Sequence, residues 1–424
     1  MAGEMRLLGE PDPAAARRAR MVLVALLVVL VLRSLIEWYT ERDLVTGSQG
    51  PFPAALGPEA PTAPAHVAHR SYHPEALVHG LAVDVIYSGV KALNVRTGKE
   101  YWRYKRRDDD AGIPSAEVSD DTVAAWFDDG RLVGIDLRTG NVRWSTDFPQ
   151  HGFQRLHIGA GQVVAQTPGG VAAFSEHSGD ELWRLGQPRS CEDSTPWVVH
   201  DLPERLTVVE LNCGNSDEPG GVAIGVDNRT GAVLWKRAVQ QELYKADDHT
   251  LVAVAPTDTG WPGEAARVQV LDVDRRGAEP RAEFTSDEWF PMGAQDGVVI
   301  SDGGAEPPDS AHGTVLTAYD TRVGERAWKR RAAAGRSYGW ARIADGRVYV
   351  VENSTVLEED EDRDLQADLL VLDAHSGKLL HRLRLPDLTV PDGFSLTDLA
   401  VEEVGDGAVR VGWLESSDEA WIVT

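Results

Sequence analysis

Residues 135–144 read IDLRTGNVRW, and this stretch decides the fold. Val133, Ile135 and Leu137 alternate as the apolar side of a strand, Asp136 can accept backbone N–H bonds across a turn, and Gly140 tolerates the positive φ that closes it. Trp144 falls four residues past the glycine, on a second strand, where a large ring can cover the seam between neighbouring units. The motif therefore reads as strand, turn and strand, with a tryptophan that packs rather than binds.

The unit recurs along the chain. LNVRTGKEYW ends at Trp102, VDNRTGAVLW at Trp235 and YDTRVGERAW at Trp328, while FSEHSGDELW, ending at Trp183, keeps the frame with Ser175 in place of aspartate. Two copies are degraded: LDVDRRGAEPR at 271–281 has one extra residue and no tryptophan, and LDAHSGKLLH places His381 where the ring is due. The motif glycines Gly98, Gly140, Gly179, Gly231, Gly277, Gly324 and Gly377 recur every ~46 residues, which suits four short strands per unit better than a helical hairpin of ~34.

A second turn signal shares the period, at Gly161, Asp296-Gly297, Asp345-Gly346 and Asp406-Gly407, each before a β-rich run. Each unit thus holds two hairpins. After Asp406-Gly407 the chain reaches Thr424 where the next motif turn is due, so the last unit lacks its outer strand, and residues 63–70 are free to supply it. The reading is all-β: an eight-bladed propeller closed by its N-terminal strand, with seven blades as the alternative.

The 424 residues carry 42 Lys plus Arg against 67 Asp plus Glu, a formal charge of −25, and such a surface repels phosphate backbones, so nucleic acid is no partner. Residues 21–32 are uninterruptedly apolar, and taken as 21–39 the segment makes ~28 Å of helix, enough to span a bilayer core. Arg17, Arg18 and Arg20 precede it, whereas Glu37, Glu41, Arg42 and Asp43 lie at its far end, and this bias leaves the N-terminus cytoplasmic and the rest outside. A cleaved signal peptide is the rival, but no small-residue cleavage site follows Leu32 promptly. The expected organisation is a cytoplasmic stretch 1–20, a transmembrane signal anchor 21–39, a Pro/Gly-rich linker 40–62 and the propeller 63–424. In that oxidising exterior Cys191 and Cys213, at opposite ends of an expected hairpin, are read as a disulfide, with two buried thiols as the alternative.

Asp-x-x-Thr-Gly-x-x-x-Trp resembles the pyrroloquinoline quinone (PQQ)-like repeat of eight-bladed propellers. That family includes quinoprotein dehydrogenases and the non-enzymatic BamB of bacterial outer membranes. The resemblance implies, for the enzymes, an adjacent Cys-Cys pair over the quinone and a calcium held by acidic and amide side chains. Here Cys191 is followed by Glu192, and the other cysteine is far along the chain. Other candidates carry equally little chemistry. Residues 335–339, GRSYG, match a nucleophile elbow around Ser337 but precede a β-rich run instead of a helix, and are read as a loop between blades. His66, His69 and His73 are close in sequence without metal-site spacing, and EEDEDRD at 358–364 lacks the glycine of a calcium loop. The expectation is a membrane-anchored, extracytoplasmic, non-catalytic propeller that scaffolds or binds an unknown protein through its loop faces, with no cofactor, metal site or catalytic residue. The alternatives are a divergent quinoprotein-type oxidoreductase and the ligand-sensing domain of a membrane complex.

Overall fold

Asp136 shows why the repeat turns where it does. Its Oδ1 accepts the backbone N–H groups of Arg138 at 3.1 Å and Thr139 at 2.9 Å, and the Gly140 N–H closes on the Asp136 carbonyl at 2.8 Å with φ at 73°. Asp227 repeats the arrangement with Arg229, Thr230 and Gly231. The strands before and after each turn are the third and outermost strands of one antiparallel sheet. The computed structural model describes residues 43–54, 56, 66–68, 72–107, 112–113, 115–147, 155–167, 169–186, 198–203, 205–212, 221–239, 243–256, 266–286, 290–303, 313–354, 364–385, 388–389, 399–413 and 420–424.

Eight such sheets follow one another as blades, at 72–105, 115–147, 156–186, 198–239, 243–286, 290–331, 336–384 and 399–423. Their first strands meet around the axis and their last strands lie outside. The eighth blade has three strands of its own, Leu399–Gly405, Ala408–Trp413 and Ala420–Val423. Its fourth is His66–Ala68, which pairs antiparallel with the last, Val67 opposite Trp421. The ring is eight-bladed and closes through its N-terminal strand, as the missing outer strand foretold. Closure removes the two open sheet edges that a seven-bladed reading would have left to be covered.

The period of two along each strand divides its side chains between two seams. In Thr122–Phe127, Val123, Ala125 and Phe127 pack toward blade 1, while Ala124 and Trp126 pack toward blade 3. Among the described residues the core is accordingly eight separate apolar clusters, one per seam. There is no single centre of hydrophobic mass, and stability rests on nearest-neighbour contacts between blades.

The repeat tryptophans interlock these seams. The indole N–H groups of Trp102, Trp144, Trp183, Trp235 and Trp328 donate to the carbonyls of Leu137, Glu176, Asn228, Asp274 and Ala374, each in the motif turn of the next blade, at 2.6 to 2.9 Å. A Cβ on Gly140, Gly179, Gly231 or Gly377 would stand 2.5 to 2.9 Å from the preceding blade's tryptophan, so the ring occupies the space that glycine leaves. Gly98 and Gly324 have φ of 64° and 69° but no tryptophan beside them, because the blades before them, the eighth and the fifth, carry no motif tryptophan; Gly98 faces open space, and Gly324 meets Ala282 and Phe284 of blade 5 instead. Gly277 departs from the set. The extra residue of its repeat makes a two-residue hairpin with Asp274 opposite Gly277, and the left-handed conformation is not needed there.

Two further differences from the sequence reading stand out. Part of the expected linker lies on the propeller: Leu44–Thr46 forms a fifth strand outside blade 1, Val45 opposite Tyr104, and Tyr104 Oη donates to Asp43 Oδ2 at 2.5 Å. Phe52 meets the Tyr101 ring edge-on at 5.9 Å, Arg138 stacks on Phe52 at 4.4 Å, and Leu56 joins the seam between blades 8 and 1. Aromatic and backbone partners hold a segment that its prolines suggested would stay extended in solvent. Ser337 sits on the first strand of blade 7, opposite Asn353 and 0% exposed, where a loop was expected, so no substrate can reach it. The anchor 21–39, both cysteines and most of the acidic run 358–364 lie outside the described residues. Among the described residues no helix is long and apolar enough to cross a membrane.

Candidate functional site: the inner channel

The first strand of every blade is one arm of a hairpin, and the third residue pair counted back from the turn recurs at one level around the axis. On the inner arm that pair places Ala76, Glu117, His157, His200, Tyr244, Gly293, Arg342 and Glu403 in blades 1 to 8. Blades 1 and 6 contribute only Ala76 and Gly293, while blades 2, 3, 4, 7 and 8 contribute titratable groups.

These groups act on one another. His157 Nε2 and Asp201 Oδ2 are 2.8 Å apart, Thr207 Oγ1 donates to Asp201 Oδ1 at 2.9 Å, and Gln162 Nε2 donates to Thr207 Oγ1 at 2.8 Å. Lys245 Nζ donates to the Asp201 carbonyl at 2.8 Å. Gly159 makes the His157–Asp201 pair possible, since a Cβ there would stand 2.3 Å from Asp201 Oδ2. Burial pulls the imidazole of His157 down, but the Asp201 hydrogen bond and charge, with the Glu117 charge, outweigh it and raise its pKa. Burial lowers His200 to about 4, helped by the His157 and Lys245 charges, and its Nε2 has no hydrogen-bond partner among the described residues. Burial raises Glu117, and it raises Glu403 to about 7 against the pull of Arg342. Around the axis the channel thus carries opposed charges with two carboxyl groups held toward their neutral form.

At the closing seam Arg410, 3% exposed, sends Nε to Glu402 Oε2 at 2.9 Å and Nη1 to Asp84 Oδ1 at 3.3 Å, joining blade 8 to blade 1. Blade 7 holds two more buried carboxylates that arginines reach, with Arg336 on Asp368 at 2.8 Å and the exposed Arg382 on Glu352 at 2.7 Å. Sequence reasoning missed all of these residues. The third position before each hairpin turn was legible once the turns were aligned, but nothing in the one-dimensional pattern marked those positions as neighbours.

The residues present do not suit a quinone and calcium: no adjacent cysteine pair exists, and among the described residues no three His, Cys, Asp or Glu side chains converge as a metal set.

The comparisons with known proteins agree with the repeat. The family model for the outer membrane protein assembly factor BamB matches residues 87–257. BamB from Burkholderia pseudomallei is 22% identical over 286 residues, covering 63% of this chain and 68% of that protein. A quinoprotein ethanol dehydrogenase from Pseudomonas putida is 31% identical over 128 residues, 28% of this chain, and the match spans only 20% of the enzyme's length. The crystal structure of BamB from Moraxella catarrhalis superposes with a TM-score of 0.50 at 15% identity, over 86% of this chain and 98% of that one. The chain is a β-propeller whose repeat resembles the PQQ-like family.

Proposed function

We propose that this chain is a non-catalytic binding propeller, held outside a membrane by residues 21–39 and engaging a protein partner through its loop faces. The extent of the likeness carries the reading: the match takes in 68% of the length of a BamB but only 20% of a quinoprotein dehydrogenase. The missing Cys-Cys pair supports it from the side of chemistry. By the same likeness, to a protein named as an outer-membrane assembly factor, the partner belongs to the membrane-protein assembly class, and the propeller is extracytoplasmic.

Titration of the detergent-extracted full chain with PQQ and calcium, read by absorbance and thermal unfolding, tests the non-catalytic reading. No saturable change is expected. Saturable quinone binding with dye-linked alcohol oxidation would overturn it in favour of the divergent oxidoreductase. Intact-mass analysis of the same preparation tests the anchor, and a mature N-terminus between residues 33 and 65 would remove it.

A further inference from the structure

Beside the channel, against the inner strands of blades 2, 3 and 4, lies a cavity of about 160 Å³ in which Glu117 feels the charge of His157 but three polar groups make no hydrogen bond to one another. Three matter. Glu117, half-buried on the inner strand of blade 2, makes no hydrogen bond or ion pair among the described residues. Arg155, at the start of the inner strand of blade 3, likewise has an unpaired guanidinium, although it lines the same cavity as Glu117. The Gln166 Oε1 is buried without a donor among the described residues. The remaining walls, Leu156, Val164, Val171 and Val199, are apolar.

This is unusual company for an arginine here, since Arg143, Arg281, Arg322 and Arg336 all find carboxylates. An acidic group and a basic group that share a cavity without touching, with an orphan acceptor and an aliphatic wall, form the complement of a small zwitterion. A site this small is below the size of drug-like pockets, which run to roughly 300–1,000 Å³.

We propose that the cavity binds a free aliphatic α-amino acid, with its ammonium on Glu117 and the Gln166 Oε1, its carboxylate on Arg155, and its side chain against Leu156, Val164, Val171 and Val199. Glu117 and Gln166 then discharge the donors of the ammonium, and Arg155 supplies the geometry for the carboxylate. Asp201 keeps the His157 imidazole, which borders the same cavity, occupied and out of competition for the ligand.

The test is calorimetric titration of the full chain in detergent with L-leucine, with isoamylamine, which lacks the carboxylate, and with 4-methylpentanoate, which lacks the ammonium. L-leucine is expected to bind saturably and each analogue at least ~10-fold more weakly, the scale of one lost charge-assisted contact. Glu117→Gln and Arg155→Gln are each expected to weaken L-leucine by a similar factor, and the Arg155→Gln protein to keep the unliganded melting midpoint of the parent. Arg155 is solvent-exposed, so its variant folds even if Glu117→Gln does not. Absence of saturable L-leucine binding, equal binding of either analogue, or an Arg155→Gln protein with wild-type affinity would each overturn the proposal.

Discussion

Trp144 and Gly179 occupy one space from opposite sides of a seam: the indole of blade 2 lies where a Cβ on the blade 3 glycine would stand 2.5 Å from its ring. The same indole N–H reaches the Glu176 carbonyl at 2.6 Å. The seam is therefore sealed by a pair of residues that cannot vary independently. Trp144→Ala is expected to destabilise the domain by ~3–5 kcal/mol and Trp144→Phe by ~1–3 kcal/mol, the latter leaving the carbonyl without its donor. Gly179→Ala adds a clash to a φ of 72° and should cost more than the same change at Gly161, where nothing lies within 4 Å. Urea denaturation of the four variants checks all of it.

The Asp84–Arg410 pair locks the last blade to the first with both side chains buried. Arg410→Met leaves the Asp84 carboxylate buried without the guanidinium and is expected to cost ~3–5 kcal/mol. Asp84→Leu combined with Arg410→Met removes the more deeply buried carboxylate as well, while Glu402 and Lys91 each lose a partner, and is expected to cost less than the sum of the two single changes. Denaturation midpoints of the single and double variants give the comparison.

Removal of residues 43–74 takes away both the strand outside blade 1 and the strand that completes blade 8, and trims three residues from the start of the inner strand of blade 1. The melting midpoint of the whole domain should fall, since two sheet edges open at once. An unchanged midpoint would mean that these strands contribute nothing to closure.

His200 stays neutral in the fold down to about pH 4, whereas an unfolded histidine titrates near ~6.5. Between those values the unfolded chain binds the extra proton, so stability rises with pH across the window. His200→Asn is expected to flatten that slope, measured as urea midpoints at intervals from pH 4 to pH 6.5.

Glu403 behaves in the opposite sense. Its folded pKa of about 7 exceeds the ordinary ~4.3, so the native state holds the proton longer and stability falls as pH rises from 4.5 to 7. Glu403→Gln should therefore raise the midpoint at pH 8 and leave it nearly unchanged at pH 4. A variant that gains equally at both values would show that the charge is not responsible.

The amino-acid sequence by itself determined the repeat, the turn chemistry, the number of strands per unit and the closing strand. Each of these follows from interactions within about a dozen residues, such as Asp136 capping its own turn, or from a period that can be counted. Only the tertiary structure decided which residues share the channel. Glu117, His157, His200, Arg342 and Glu403 are separated along the chain by whole blades, and it is the ring that makes a titratable set of positions which, taken one at a time, look like ordinary strand residues. The docking of residues 44–46 was equally illegible. Its determinants are the outer edge of blade 1, the Tyr104 hydroxyl and the Arg138 guanidinium, which the ring brings to the segment from elsewhere in the chain.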